Sequence, residues 1–305
     1  MNAMPFDRNL RLPLIVAPML RVSGVDLVNA ACRAGAIGAF PTANCRDAAE
    51  LDHWMAQMGE ARRRHEDAGG VAAPWCPNLI MRRDERTLAR DVDLVIAHRC
   101  ELVITSVGSP ASVMPRLLDA GVKVFADVAT IRHAEKAIEA GVDGLVLLCA
   151  GAGGQSGWAN PFAFVRAARA MFDGAIVLAG GLADGVGLHA AIALGADYGY
   201  MGSRFIAVAE SMADPRYKQM IVDAEFDDIV LTRAITGLPA NFLGPSLEAV
   251  GLDPRDLPEH LSPEQARERF GGVAGDPARA RARRWADIWS AGHSVSGIRD
   301  IPRTA

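Results

Sequence analysis

Residues 122–154 read VKVFADVATIRHAEKAIEAGVDGLVLLCAGAGG. The stretch holds one complete unit: an apolar run, a helix that Thr130 can cap, a closing Gly141 and a second apolar run that enters a glycine loop. Both apolar runs are continuous and do not alternate with polar residues. Continuous runs are typical of strands buried on both faces of a parallel sheet. The stretch therefore predicts a strand–helix–strand unit of an α/β protein.

The same unit recurs along the chain. Four helix-to-strand junctions carry a glycine that can adopt the left-handed conformation just past a helix. The four junctions are Ala34-Gly35-Ala36, Ala120-Gly121-Val122, Ala140-Gly141-Val142 and Leu194-Gly195-Ala196. The strand candidates are the apolar runs 14–19, 37–43, 73–80, 102–107, 122–128, 144–150, 175–179 and 198–202. Eight such runs separated by helices predict a (β/α)8 TIM barrel, with a doubly wound open sheet as the alternative.

The pattern changes after residue 205. Residues 206–290 are more polar and are broken by prolines and glycines, which predicts an added C-terminal helical lobe packed beside the active site. Residues 1–205 form the predicted barrel. The small, polar tail 291–305 either closes over that barrel or is a terminal connector.

Composition excludes several classes of protein. The 305 residues are 50% hydrophobic and carry a net charge of −4, so a large core is expected and no basic field is present for nucleic acid or a membrane surface. Five cysteines without CxxC spacing predict free thiols, with no disulfide frame and no metal site. No signal peptide or membrane-spanning run is visible, so a cytoplasmic protein is expected.

Polar residues at the ends of the apolar runs are the candidates for chemistry. Ligands of parallel barrels bind at the carboxyl ends of the strands. The residues at those positions are Asn44, Asn78, Ser106, Asp127, Gln155 and Ser203. Lys123 begins its strand and should face the opposite end of the barrel.

Three turns after strands are nearly free of side-chain bulk. Residues 151–157 contain four glycines, and Gly180-Gly181 and Gly202-Ser203 follow the last two predicted strands and precede helices. Amide N–H groups at helix starts bind phosphate. One such turn alone is more simply a tight turn, but two at the last two strands favour phosphate binding. Together the three turns indicate one large, flat cofactor with a phosphate tail.

Motifs for covalent catalysis are absent from the sequence. There is no Gly-x-Ser-x-Gly elbow, no Walker loop and no dinucleotide fingerprint. Cys149 before the glycine loop is better explained by buried packing than as a nucleophile, and His293 in the tail is the histidine we would test for catalysis. A site with few acids and bases suits a cofactor that performs the chemistry itself.

These residues resemble the nitronate monooxygenase family, formerly called 2-nitropropane dioxygenases, which are FMN-dependent TIM barrels. The similarity runs from residues 17–19 through Asn78 and the glycine loop to the tail, and it is densest at 179–185 and 201–205. The resemblance implies that Ala17, Pro18 and Met19 line the flavin ring and that Asn78 bonds a ring edge. It also implies that Gly151 and Gly154 allow close approach and that Gly180, Gly181, Gly202 and Ser203 hold the FMN phosphate. Asp127 and Met201 complete the predicted cofactor-binding set.

One position departs from the family pattern. The family usually has histidine in its Ala-Gly-Gly-His-x-Gly loop, as the base or the group that orients the nitronate, and this chain has Gln155. Glutamine cannot take a proton from a neutral nitroalkane but can donate a hydrogen bond to a nitro oxygen. With Gln155 and His293 as the catalytic candidates, we expect oxidation of small nitronates by O2 to persist and activity on neutral nitroalkanes to be lost. A homodimer is compatible with the sequence.

Three alternatives remain open from the sequence. The first is an NAD(P)H-dependent flavin reductase of enoyl thioesters or quinones, although such barrels also usually carry histidine in the glycine loop. The second is a nucleotide-monophosphate-binding barrel like inosine-monophosphate dehydrogenase, but the long loop with a nucleophilic cysteine is missing. The third is a flavin-binding protein with little catalysis.

Overall fold

The structure is a computed structural model that describes residues 6–258, 261–270 and 283–304 of the chain. Eight parallel strands close into a barrel in the order β1-β2-β3-β4-β5-β6-β8-β9, and β9 pairs with β1. The barrel strands are β1 (Leu14–Val16), β2 (Ile37–Pro41), β3 (Trp75–Ile80), β4 (Leu102–Ser106), β5 (Lys123–Val128), β6 (Gly144–Leu148), β8 (Ala175–Ala179) and β9 (Tyr198–Met201). The predicted TIM barrel is confirmed, and the open-sheet alternative is excluded.

A helix follows each barrel strand. They are α1 (Val25–Arg33), α2 (Ala48–Asp67), α3 (Glu85–Ala97), α4 (Met114–Asp119), α5 (Ile131–Glu139), α6 (Pro161–Met171), α7 (Gly185–Leu194) and α8 (Ser203–Ile206). The predicted caps are present: Thr130, Asn160 and Asp184 accept hydrogen bonds from main-chain N–H groups in the first turns of α5, α6 and α7. The four junction glycines all have positive φ, as predicted.

Alternation along the strands separates two cores. One set of side chains fills the barrel interior, including Ile15, Ile104 and Phe125. The other set packs between the strands and the helices, including Val16 and Leu145. Lys123 pairs with Asp143 at 2.8 Å at the start of β5, the end of the barrel where it was predicted to lie.

The segment predicted as a helical lobe also contains strands, so that prediction was partly wrong. Its helices are α9 (Pro215–Asp223), α10 (Gly244–Glu248) and α11 (Pro263–Phe270). Between α9 and α10 lie β10 (Ile229–Thr232) and β11 (Ala240–Leu243), which form an antiparallel sheet with β7 (Gly154–Gln155) from the glycine loop. The strand β7, which pairs with β11, is distant from it in sequence. Short apolar runs that look like helix fragments therefore form strands of a sheet.

The C-terminal tail packs on both the barrel and the segment after it. A 3-10 helix (His293–Gly297) contributes Val295 to a core that also contains Val22, Ile221 and Leu243. Residues 1–5, 259–260, 271–282 and 305 of the predicted segments lie outside the described residues. Within the described ranges, no helix combines the length and apolar character needed to cross a bilayer.

Candidate active site

A cavity of about 400 Å³ opens at the carboxyl ends of the barrel strands. Its floor and sides come from the strand ends, and further wall comes from the glycine loop, from the segment after the barrel and from the tail. This volume lies in the range of small-molecule and cofactor sites.

Most of the predicted site residues meet in this cavity. The predicted residues that line it are Ala17, Pro18, Met19, Asn78, Ser106, Asp127, Gly151, Gly154, Gln155, Gly180, Gly181, Gly202 and Ser203. They come from both ends of the barrel sequence and from the middle, so the closed barrel is what brings them together.

Met201 does not line the cavity, contrary to the prediction. Its side chain is buried in the core between the strands and the helices, while the neighbouring Tyr200 lines the cavity. Successive residues of a strand point to opposite faces, so one of the two must point outward. The main chain of Met201 still helps to position the cavity residue Ala17, because the Met201 carbonyl accepts a hydrogen bond from the Ala17 N–H at 2.9 Å.

His293 is not in the cavity wall either. Its ring packs on Phe226, with centroids 4.4 Å apart, and its main-chain N–H donates to the Gly151 carbonyl at 2.9 Å. Burial lowers the pKa of His293. The placement gives this residue a packing role beside the glycine loop and does not support the predicted catalytic one.

Asn44, another strand-end candidate, acts on the loop after β1. Its carboxamide accepts from the Arg21 N–H and donates to the Met19 and Ser23 carbonyls, at distances of 2.8–3.1 Å. Asn44 therefore holds the turn that carries Met19 and does not itself reach the cavity.

The two turns predicted to bind phosphate lie side by side in the wall. Gly180 and Gly181 have φ values of +127° and +76°, and a Cβ on Gly181 would meet nothing within 4 Å. Gly202-Ser203 begins α8 on the adjacent strand, and the Ser203 hydroxyl accepts from the Gly292 N–H at 2.9 Å. That contact fixes the Ser203 oxygen and leaves its hydrogen free to donate to a ligand.

The glycine loop is held from two sides, by hydrogen bonds that include one from the Asn241 side chain and by close main-chain packing. The Asn241 amide donates to the Ala152 carbonyl at 2.7 Å, and β11 pairs with Gly154 and Gln155. On the other side the tail packs so closely that a Cβ on Gly292 would lie 2.4 Å from the Gly151 oxygen. Ala291 and Ser294 of the tail, together with Trp289 and Ser290 just before it, close one side of the cavity.

Asn78 is buried and already uses both amide hydrogens. They lie 3.1 Å from the Ile104 carbonyl and 3.1 Å from the Ser106 hydroxyl. These contacts orient the carboxamide, so any further hydrogen bond from Asn78 to a ligand must use its oxygen as an acceptor.

Asp127 is an unusual group at the floor of the cavity. Its Oδ1 atom is buried and has no hydrogen-bond partner among the described residues. Burial raises the pKa of this carboxyl to about 7. The pKa of the half-buried Tyr200 is also raised, by burial first and then by the charge of Asp127, which places the two groups near each other. An unpaired buried oxygen favours a ligand that presents a hydrogen-bonding atom there.

Gln155 lines the cavity from β7, and its carboxamide makes no hydrogen bond to any residue that the structure describes. Its donor and acceptor atoms are therefore available to a ligand. Cys149, by contrast, is buried, and burial raises the pKa of its thiol to about 12, so it is a packing residue at neutral pH.

Sequence reasoning missed the aromatic and basic parts of the wall. The missed aromatic residues are Tyr200, Tyr217, Trp285 and Trp289, and the missed arginines are Arg82, Arg267 and Arg284. Alternation on β9 could have identified Tyr200. The others depend on how the segment after the barrel folds back, as in the stacked rings of Tyr217 and Trp289 with centroids 5.1 Å apart.

Comparison with known proteins agrees with this geometry. The sequence profile of the nitronate monooxygenase family matches residues 41–247, more than half of the chain. A nitronate monooxygenase of Paraburkholderia phytofirmans is 26% identical over 95% of this chain and 88% of its own length. A protein of Mycobacterium tuberculosis named as a hydroxy-methyl-oxo-octahydro-indene-carboxyl-CoA dehydrogenase is 26% identical over 76% of this chain and 62% of its own.

Structural comparison gives the same fold over the whole chain. FabK from Thermotoga maritima superposes with a TM-score of 0.79 and 25% identity, covering 100% of this chain and 93% of that one. The barrel, the bare-backbone cavity and the profile match lead to one assignment. The chain is an oxidoreductase and belongs to the nitronate monooxygenase family.

Proposed function

We propose that this chain is an FMN-dependent oxidoreductase that oxidises small nitronate anions with O2. The observation that carries the proposal is a cavity whose wall is in part bare main chain, formed by the glycine loop and by two adjacent glycine turns. When bound, FMN supplies the electron-transfer and O2 chemistry that the side chains of this cavity cannot provide.

The residues present fit such a cofactor. Gly180, Gly181, Gly202 and Ser203 would hold the phosphate through main-chain N–H groups and one hydroxyl, because the strand-to-helix turns expose these donors. The open space above the Cα of Gly181 is the place that a side chain would fill.

The ring end of the cofactor would meet the other side of the cavity. Ala17, Pro18 and Met19 would line the ring, and Asn78 would accept a hydrogen bond at its edge because its own amide hydrogens are already used. The unpaired oxygen of Asp127 offers a second polar contact at the floor. Gly151 and Gly154 leave the glycine-loop wall without bulk.

Gln155 sets the limit on the reaction. Its free carboxamide can donate to a nitro oxygen and so orient a nitronate, but it has no pKa in the range needed to remove a proton from carbon. A nitronate is already deprotonated and needs no base. Activity on nitronates is therefore expected, and activity on neutral nitroalkanes is not.

Oxygen consumption with freshly prepared nitronate and with the neutral nitroalkane tests this proposal. General base catalysis contributes about 100-fold or more, so the neutral form should react at least that much more slowly in the wild type. Gln155→His should raise the rate on the neutral form while retaining turnover of the nitronate. Equal wild-type rates on the two forms would contradict the proposal.

Asp127→Asn completes the experiment, because Asp127 is the one carboxyl group among the described residues that line the cavity. Nitronate turnover should survive this change, since no proton has to be removed. If the wild type used neutral nitroalkane and Asp127→Asn abolished that activity, Asp127 would be the base and our account of Gln155 would be wrong.

A further inference from the structure

Three arginines line the cavity at a distance from the proposed phosphate turns. Arg82 follows β3, Arg267 lies on α11, and Arg284 precedes the Trp285 turn. Arg82 and Arg267 are exposed, so they stand on the solvent-facing side, whereas Arg284 is half-buried. We call these three residues the arginine cluster.

The arginine cluster makes no direct ion pair within the part of the chain that the structure describes, although the charge of the exposed Glu264 acts on Arg82 and Arg267. None of its guanidinium groups forms an ion pair or a side-chain hydrogen bond there, although most other arginines of the described chain pair with carboxylates or carbonyls. The chain as a whole is acidic, with a net charge of −4, so this local positive charge is not part of a general basic surface.

All three members of the cluster line one cavity, and Arg267 lies close enough to Arg284 to affect its pKa. Burial, and then the positive charge of Arg267, lowers the pKa of Arg284. The pKa of the exposed Glu264 is lowered by its own main-chain N–H and by Ser262, and also by Arg267 and Arg82. Among the described residues, Glu264 is the acid whose pKa responds to the charges of the cluster.

An unpaired, half-buried guanidinium beside a second one is unfavourable unless an anion joins them. Arginine presents a planar fork of donors that matches phosphate and carboxylate oxygens. The arrangement therefore has the character of a binding site that is completed by a ligand.

The cluster is separate from the glycine turns. Arg82 follows β3, and Gly180-Gly181 follows β8, four strands away in a closed barrel of eight. Arg82 and the glycine turns therefore lie on opposite sides of the barrel, and a phosphate held by the turns is not positioned to contact Arg82. The arginine cluster thus calls for an anion other than the FMN phosphate.

Trp285 adds an aromatic surface to this site. It lines the cavity next to Arg284 and has a φ of +66°, a left-handed conformation that is unfavourable for a bulky residue. Its ring packs on Phe242, with centroids 5.5 Å apart. Packing thus holds the indole in the wall despite the strained main chain, where it can contact a flat group.

We propose that the arginine cluster and Trp285 bind the phosphorylated nucleotide part of a second ligand, whose other end extends into the cavity. The phosphates would contact Arg82, Arg267 and Arg284, and the base would lie against Trp285. A small nitronate carries no phosphate, so this inference goes beyond the proposed function and implies a larger substrate or electron donor. Both an acyl thioester of coenzyme A and a nicotinamide dinucleotide carry the required adenosine phosphates.

Calorimetric titration of the FMN-loaded protein with ADP tests the proposal. ADP should bind, and high salt should weaken binding because exposed charges are screened. Arg82→Ala and Arg267→Ala should each raise the Kd about threefold, and Arg284→Ala about tenfold, because its site is less exposed. Trp285→Ala should also weaken the binding of ADP. The same change should leave the binding of inorganic pyrophosphate unaffected, because pyrophosphate carries no base.

Arg132→Ala is the matched control, since it removes one positive charge from an exposed position of α5 that does not line the cavity. It should leave the Kd unchanged. The proposal would be overturned if ADP did not bind. It would also be overturned if the three arginine variants bound ADP with the same Kd as Arg132→Ala. Arg82 and Arg267 are exposed, so their variants test it even if Arg284→Ala fails to fold.

Two further titrations identify the source of the nucleotide. Tighter binding of coenzyme A than of NADPH would indicate an acyl thioester, and the reverse would indicate a nicotinamide electron donor; either result supports the site. Nitronate turnover measured on the same samples separates the two proposals, because nucleotide binding is read by heat and not by activity.

Discussion

Gly181, in the first of the two predicted phosphate turns, allows the cofactor proposal to be tested by a single substitution. Gly181→Ala places a methyl group in the open space of the proposed cradle, at a residue with φ of +76°. Gly121→Ala is a matched control, because Gly121 has φ of +74°, lies at a junction away from the cavity and has nothing within 4 Å of the position that a methyl group would take.

Both alanine variants should lose about 1 kcal/mol of unfolding free energy from the left-handed main chain. Only Gly181→Ala should also weaken the binding of FMN, by about tenfold or more, because the methyl group occupies space that the ligand needs. Denaturant unfolding of the two apoproteins and flavin fluorescence titration measure the two effects. Equal FMN affinity in both variants would contradict the placement of the phosphate.

The raised pKa of Asp127 predicts how the stability of the protein depends on pH. Burial raises the pKa of its carboxyl from 3.8 to about 7, so between these values the folded protein holds a proton that the unfolded chain has released. The unfolding free energy contributed by this group therefore falls as pH rises through that window and is level above it.

Asp127→Asn removes the titration and keeps the shape. In the FMN-free protein its melting temperature should exceed that of the wild type by more near pH 8 than near pH 5, because the wild type loses unfolding free energy between these two pH values and the variant does not. Thermal unfolding at the two pH values measures the difference. A difference that is the same at both would show that Asp127 does not titrate as its burial indicates.

At the scale of elements, the tail and the glycine loop act as one wall. Main chain contacts main chain there, since the His293 N–H donates to the Gly151 carbonyl at 2.9 Å and a Cβ at Gly292 would lie 2.4 Å from the same oxygen. Gly292→Ala should therefore push the tail away from the cavity, lower the unfolding free energy by about 1–3 kcal/mol and speed FMN release.

Gly185→Ala is the control for this change, because a methyl group there meets nothing within 4 Å and the residue begins α7. It should leave stability and FMN release close to the wild type or slightly improve stability. Stopped-flow release of FMN and denaturant unfolding give the readouts. An unaltered rate of FMN release in Gly292→Ala would contradict the prediction that the tail helps to close the cofactor site.

For the whole molecule, the sequence was sufficient where structure is local. Continuous apolar runs, side-chain caps such as Thr130 and junction glycines such as Gly141 predicted the barrel strands and helices, because each depends on residues a few positions apart. The glycine turns were located for the same reason.

The rest depended on contacts between distant segments. β11 becomes a strand because it pairs with Gly154 and Gln155, and the strand-like run alone does not show this. His293 is removed from the site by packing on Phe226, and the arginine cluster forms only when α11 and the Trp285 turn reach the barrel. No local pattern encodes which of these side chains face the cavity.

The central claim is that the cavity of this barrel is a binding site for FMN. Titration of the flavin-free protein with FMN, followed by flavin fluorescence and the visible absorption spectrum, tests it most directly. The account predicts saturation at one FMN per chain and a yellow protein that retains the cofactor through gel filtration. A chain that stays colourless and leaves the fluorescence of added FMN unchanged would contradict it.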